Sequence, residues 1–178
     1  MNYFISLVCL LFFFGCSKTP STAPVFEEDP TVIKLEKYSA KLMKKDSGLF
    51  VPSGTMGNLI SILVHCERGS EIILGNKSHT FIYEAGGISA FGGVHSHQLN
   101  NNDDGTINLE DIKNAIRNDN VHFPRTSLIA LENTHNMCYG SPLSPEYIHS
   151  VKKIASTKGI PIHIDGARIF NSAIAQNV

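Results

Sequence analysis

Three short polar clusters carry the residue types that could do chemistry, and each follows an apolar run. "PSGTMGN" (52–58) offers the hydroxyls of Ser53 and Thr55 and the backbone N–H groups of Gly54 and Gly57. At a strand-to-helix junction such a turn is an anion site. The first N–H groups of a helix have no partner within it and lie at the positive end of its dipole. The turn does not read GxxxxGK[ST], and no GxGxxG follows a strand, so a triphosphate loop and a dinucleotide site are both disfavoured. A single phosphate monoester suits it; a capped helix with a tight turn is the plainer alternative. "HIDGAR" (163–168) ends an apolar run on Asp165 and sets Arg168 three residues later. A buried carboxylate is costly unless something pairs with it. Either the two charges pair with each other, or a ligand completes the set. Beside a phosphate site, a carboxylate facing a pyridine nitrogen would keep that nitrogen protonated. A protonated pyridine is the better electron sink for carbanion chemistry. Arg168 would then stand beside the ring or bind a substrate carboxylate through its planar fork. "ENTH" (132–135) is the third cluster. His79, His122 and His135 could stack on a flat ring or exchange protons near neutral pH, though each alone reads equally well as a loop histidine.

A competing set is His95 and His97, which alternate and so share one face of a strand, together with His163 and Asp165. Imidazoles so placed suit a metal hydrolase. No further ordered carboxylate or histidine motif joins them, and no metal is expected.

The elements that must position these clusters alternate along the chain. Asp29-Pro30 predicts a helix start, with Val32, Leu35, Tyr38, Leu42 and Met43 at helical spacing until Gly48. Leu49 to Val51 predicts a first short strand. A helix from Gly54 to about His65 follows, with Leu59, Ile60, Leu63 and Val64 as its apolar side and Gly69 closing it. Glu71 to Leu74 is the next strand. A helix about His79 to Ala85, a short strand near Val94 and a helix over Leu109 to Arg117 come next. Then come the strand Ser127 to Glu132 and the helix Pro145 to Lys158, with Tyr147, Ile148, Val151, Ile154 and Ala155 inward. Gly159 ends that helix, and "IPIHID" is the last strand. Strands separated by helices imply an α/β fold with a largely parallel sheet. Ligands of such sheets sit beyond the carboxyl ends of the strands, which is where all three clusters fall.

The 178 residues suffice for one domain with a core, and 42% apolar with 17% charged residues is ordinary for a globular chain. A net charge of −1 with scattered basic residues disfavours nucleic acid as a partner. Cys9, Cys16, Cys66 and Cys138 form no CxxC pair, so neither a disulfide framework nor a zinc site is expected. Reduced thiols fit a cytosolic body. "FISLVCLLFFFG" (4–15) is shorter than the ~20 residues of a membrane span and suits a signal-peptide core. "FFFGCSK" faintly resembles a lipoprotein cleavage site, yet Met1, Asn2 and Tyr3 supply no basic residue ahead of the run. "SKTPSTAPVFEEDP" reads as a linker. Residues 1–24 are therefore set apart as a signal-like segment and linker, which would make the protein secreted or membrane-anchored if it acts. Residues 25–178 are the body.

Across about residues 27–178 stand, in order, "EDPTV", "FVPSGTMGNLIS", "HCERGSEIILG", "SHTFIYEAGGIS", "DDGTINLEDI", "HFPRTSLIALENTHN" and "IHIDGARIFNSAIA". This combination resembles the low-specificity threonine aldolases, β-eliminating lyases of the aspartate-aminotransferase-type fold that use pyridoxal 5'-phosphate. The resemblance implies a three-layer large domain with a mostly parallel sheet, present here in part. It implies that Ser53, Gly54 and Thr55 hold the cofactor phosphate, that His79 stacks on the ring and that Asp165 meets the ring nitrogen. It further implies Arg168 on the substrate carboxylate, His122 near the substrate for hydroxyl selection or proton transfer, Tyr83 as an aromatic neighbour, and "ENTH" lining the pocket. The implied reaction is retro-aldol cleavage of threonine or allo-threonine to glycine and acetaldehyde, by a cytoplasmic homotetramer. The family's Schiff-base lysine stands in an "SKGLG"-like motif beyond the stretch read here. An apolar segment replaces its "DLRSDT"-like arm, and the strand over "IPIHID" is expected to keep an open side. A truncated, non-catalytic relative and another β-eliminating amino-acid lyase are the alternative readings.

Overall fold

Strands buried on both faces set the architecture. The computed structural model describes residues 6–7 and 29–178. Five strands, β1 (Ser6–Leu7), β2 (Glu71–Gly75), β3 (His95–Leu99), β4 (Thr126–Glu132) and β5 (Ile162–Asp165), form one sheet in the order β1-β5-β4-β2-β3. All pairings are parallel. Successive side chains of a strand point to opposite faces. Ile73, Ile129, Leu131, Ile162 and Ile164 therefore share one face. They pack on Ile112 and Ala115 of α5 (Leu109–Ala115) and on Val151 and Ala155 of α6 (Pro145–Ser156). Ile72, Leu74, Leu128 and Ala130 turn the other way, onto Ile62 of α2 (Gly54–Leu63), Cys66, and Ile88 of α4 (Gly87–Ala90). Each such Ile or Leu contributes about 1.5–3 kcal/mol by leaving water. The result is the three-layer α/β arrangement with a parallel sheet that the strand and helix alternation predicts.

On β5 the same parity has a consequence for chemistry. Ile162 and Ile164 join the α5 and α6 layer. His163 and Asp165 are thereby turned toward α2, where both meet Asn58.

Side-chain caps open the helices, the first of them at the Asp29 read from sequence. Asp29 accepts from Thr31 N at 2.8 Å and opens α1 (Pro30–Leu42). Ser53 accepts from Met56 N at 3.2 Å and opens α2, while Ser144 caps α6. Gly159 closes α6 at φ 66°, with Ile160 N bonded to Ala155 O. The inward set of α6 is the expected one, Tyr147, Ile148 and Ile154 packing beside buried Val151 and Ala155.

Four expectations are corrected. Leu49 to Val51 is extended chain outside the sheet, and Phe50 N donates to Glu36 Oε1 of α1 instead of to a strand. Both Leu49 and Phe50 are exposed. α1 ends at Leu42, with Lys44 at positive φ, ahead of Gly48. α2 buries Gly57, Asn58, Ser61 and Ile62, leaving Leu63 and Val64 outside. The polar face of β5 needs hydrogen-bond partners, and this decides which side of α2 turns inward. The side of β5 expected to stay open has a neighbour at two positions, where Ser6 and Leu7 lie along His163 and Ile164. The rest of the signal-like segment and linker falls outside the described residues. Among the described residues no helix is long and apolar enough to cross a membrane.

Gly75 ends β2 where the Asn101 side chain occupies the space of a Cβ. Asn101 cannot move aside: its Oδ1 accepts from Lys77 N and its Nδ2 donates to Gly105 O, both at 3.0 Å. Gly75→Ala is expected to cost about 1–3 kcal/mol by overpacking, read as a shift of the denaturant midpoint with unchanged slope.

Candidate functional site

The site is assembled at the carboxyl ends of β4 and β5, where Glu132 and Asp165 stand side by side in register. The backbone ties the two clusters, Asn133 N donating to Asp165 O at 2.9 Å. Asp165 is buried, yet it has no ion pair with Arg168. Its Oδ2 accepts from Asn58 Nδ2 at 2.9 Å and its Oδ1 from Ala167 N at 3.2 Å. Arg168 instead donates from Nη2 to Asn136 Oδ1 at 3.0 Å. The question raised by "HIDGAR" is thus answered in favour of two separately held charges.

α2 supplies the anion end. Ser53, Gly54 and Thr55 form its capped first turn, and the first i→i−4 bond is made by Gly57 N to Ser53 O. The N–H groups of Gly54 and Thr55 precede that bond and stay outside the helical ladder. Asn58 lies four residues along from Gly54, roughly 6 Å on the helix axis. One short helix therefore carries both the phosphate-type turn and the partner of Asp165.

His79 begins α3 (His79–Ile82), and its backbone N–H is hooked by Glu132 Oε2 at 2.8 Å. Glu132 Oε1 accepts from Asn136 N at 2.8 Å, so this buried acid fastens α3 to the "ENTH" loop. The His79 side chain is 39% exposed, and its Nδ1 lies 3.2 Å from Glu84 Oε1. Tyr83 is tilted beside it at 5.4 Å between ring centres, its hydroxyl 3.2 Å from Met137 Sδ. Glu84 is buried and takes a second bond from Asn58 Nδ2 at 2.8 Å. Burial pushes the Glu84 carboxyl above the usual range, and the bonds from Asn58 and His79 only partly oppose this. His135 is buried behind the loop, and burial lowers its imidazole below the ordinary value. The cavity there, of about 10 Å³, is lined by Gly75, Ser78, Glu132 and His135. It holds at most one water.

Seven of the residues expected from sequence are thus brought together: Ser53, Gly54, Thr55, His79, Tyr83, Asp165 and Arg168. His122 is not. It is exposed, four residues before β4 begins, and β4 spans about 20 Å before reaching Glu132. The metal-hydrolase set is dispersed as well. His163 Nε2 bonds Asn58 Oδ1 at 2.9 Å, whereas His95 and His97 lie at the amino end of the sheet, against buried Glu71 and Arg117. Among the described residues His79, Glu84 and Asp165 are close enough to share a cation, but the Asn58 amide hydrogens already point at both acids. Asn58 and Glu84 were not singled out from sequence. The available signal was a small, polar Gly57-Asn58-Ser61 stripe inside an apolar helix.

The raised Glu84 carboxyl gives a signed expectation. Its neutral form is favoured by the fold, so its contribution is complete below the ordinary carboxyl range and is lost as pH rises through the folded value. The stability of the wild type relative to Glu84→Gln should therefore fall as pH rises from the ordinary carboxyl range through the raised folded value. Paired thermal unfolding across that window checks it; a difference flat in pH would contradict the raised carboxyl.

Comparison with known proteins agrees with this geometry. The β-eliminating lyase family matches residues 22–178. Low-specificity L-threonine aldolase 1 of Arabidopsis thaliana is 54% identical over 84% of this chain and 43% of its own length. Low specificity L-threonine aldolase of Escherichia coli K12 is 40% identical over 85% of this chain and 44% of its own. The chain thus spans less than half the length of these curated relatives. The solved structure of Leishmania major threonine aldolase superposes with a TM-score of 0.65 at 23% identity, over 75% of this chain and 39% of its own, which shows the same fold. A parallel sheet carrying these clusters at its carboxyl edge and a match over nearly the whole body place the chain in the β-eliminating lyase family.

Proposed function

We propose that the full-length protein is a pyridoxal-phosphate-dependent lyase that splits the Cα–Cβ bond of L-threonine or L-allo-threonine to give glycine and acetaldehyde. The observation that carries this reading is Asp165. It is a buried acid held by neutral donors at the carboxyl edge of the sheet, on the same side as the capped turn Ser53–Thr55 and beside the partly open His79 ring. A ring with a basic nitrogen at one end and a phosphate at the other fits that set. When bound, pyridoxal phosphate supplies an electron sink for the pair released by the breaking bond.

The chain's own residues have distinct tasks. The turn at 53–55 binds the phosphate through its hydroxyls and free N–H groups. Asp165 favours the protonated ring nitrogen as an opposite charge. His79 covers one ring face, with its imidazole near enough to carry a proton. In the reaction the substrate hydroxyl gives up its proton as the aldehyde leaves, and Cα later takes one up; His79 is the imidazole at hand for such transfers. Arg168 grips the substrate carboxylate with the part of its fork that Asn136 does not use. A role for His122 would require that residue to come from a second subunit, as in the shared-site homotetramer the resemblance implies.

Incubation of the full-length protein with pyridoxal phosphate and threonine should yield glycine and acetaldehyde in equal amounts. Ammonia and a keto acid in their place would indicate a different lyase of this fold, and no turnover at all would favour a non-catalytic relative. Asp165→Asn is expected to lower kcat/KM about 100-fold or more, which is about 2.7 kcal/mol of lost transition-state stabilisation. Arg168→Lys should act mainly by raising KM about tenfold, because the planar fork is lost. Unchanged kinetics in both variants would refute the assignment.

A further inference from the structure

We propose that Asn58 is the positioning residue of this site: one side-chain amide aims Asp165 at the ring nitrogen and Glu84 at His79. The inference rests on the reading of Asp165 given above and deepens it.

Asn58 is 2% exposed, and three of its four hydrogen-bonding positions are filled by side chains. Its two amide hydrogens go to Glu84 Oε1 at 2.8 Å and Asp165 Oδ2 at 2.9 Å, and its Oδ1 faces His163 Nε2 at 2.9 Å. The orientation of the amide follows from these partners. A flipped group would set its oxygen against two carboxylates and its NH₂ against the imidazole nitrogen. His163 is therefore the donor through Nε2–H, and it lies on the same β5 face as Asp165. The three partners come from α3's end, from β5 and from β5's last residue, so Asn58 locks the register of α2 against the strand.

The electrostatic consequence is specific. Two buried carboxylates lie beside one another with the His79 ring nitrogen, all three atoms within 4.8 Å. Such a pair resists double ionisation. Glu84 has His79 as a second partner; Asp165 has only the Ala167 N–H besides Asn58 among the bonds to its carboxylate oxygens described above. Hydrogen bonds donated to a carboxylate favour its charged form. Asn58 thus aims Asp165 through a neutral donor, without pairing it to a cation as a Lys or Arg in the same place would. A cationic ring nitrogen can then supply the opposite charge.

The test uses the full-length holoenzyme loaded to saturation with pyridoxal phosphate carrying ¹⁵N in the ring, whose chemical shift reports ring protonation independently of turnover. The wild type should show a protonated nitrogen at pH 7.5. Asn58→Ala should lower the ratio of protonated to unprotonated ring at least about tenfold, equivalent to one pKa unit. Should the alanine variant fail to fold by circular dichroism, Asn58→Ser, too short to reach both acids, carries the same expectation. Asp165→Asn separates the two levels of the argument. A ring that stays protonated in Asp165→Asn overturns the assignment of Asp165 itself. A ring that loses its proton in Asp165→Asn but keeps the wild-type shift in folded Asn58 variants overturns the role of Asn58 alone.

Discussion

Burying an acid without a counter-cation is the constraint around which this end of the protein is organised. Asp165 and Glu84 both lie out of water, and a single neutral amide stands between them. Leaving a buried carboxylate without donors costs several kcal/mol, so the elements bearing these groups have little freedom. α2 must turn its Asn58 face inward even though Leu63 and Val64 then remain exposed. β5 must place His163 and Asp165 on the α2 side, and its isoleucines on the other. The hydrogen bonds of Asn58 and the burial of Ile62, one turn along on the same face, fix the rotation of α2 together.

The two ends of the sheet solve the same problem by different means. At the amino end, Glu71 is fully buried and is met by Arg117 Nε at 2.9 Å, by Thr126 Oγ1 and by the imidazoles of His95 and His97. That carboxylate is neutralised within the fold, and nothing is left for a ligand. At the carboxyl end, Glu132 is satisfied by two backbone N–H groups, and Asp165 by an amide and a backbone N–H. Among the described residues neither has a Lys or Arg partner. Neutral donors lower the cost of burial without consuming the charge. A cationic ligand group gains from the second arrangement and would gain nothing from the first.

How much of this was legible in the sequence follows from what period and punctuation can encode. The strands over Glu71–Gly75, Thr126–Glu132 and Ile162–Asp165 are short apolar runs bounded by turn residues, and the helices between them begin at Asp29, Ser53, Asn108 and Ser144 caps. Clusters at strand ends are found by the same rule. Leu49 to Val51 misled because an apolar tripeptide becomes a strand only with a neighbour to bond, and here its backbone bonds the Glu36 side chain. The buried side of α2 misled because hydrophobicity alone ranked Leu59, Ile60, Leu63 and Val64 above Asn58. Glu84 sits between an exposed tyrosine and a Gly-Gly turn, and nothing local shows that it points at a helix 26 residues earlier. His122 is close in sequence to "ENTH" but is separated from it by the whole length of β4.

The behaviour of Arg168 extends the same logic to the positive charge. It stands three residues after Asp165, a spacing that invites a salt bridge, yet the two charges are held apart. Gly166 and Ala167 turn the chain so that the Ala167 N–H returns to Asp165 Oδ1, and Ile169 N closes onto Gly166 O as α7 (Ile169–Gln176) begins. Arg168 is thereby directed to the "ENTH" loop, where Asn136 Oδ1 receives its Nη2. Asn136 is itself fixed through its backbone N–H by Glu132. An asparagine amide therefore holds each charge of the site, Asn58 the acid and Asn136 the base, one by its hydrogens and the other by its oxygen. Had the two charges been paired directly, each would have cancelled the other's field. Keeping them apart on neutral amides preserves opposite potentials at two fixed points, and the proposed reaction would use them to orient a zwitterionic amino acid against a charged ring.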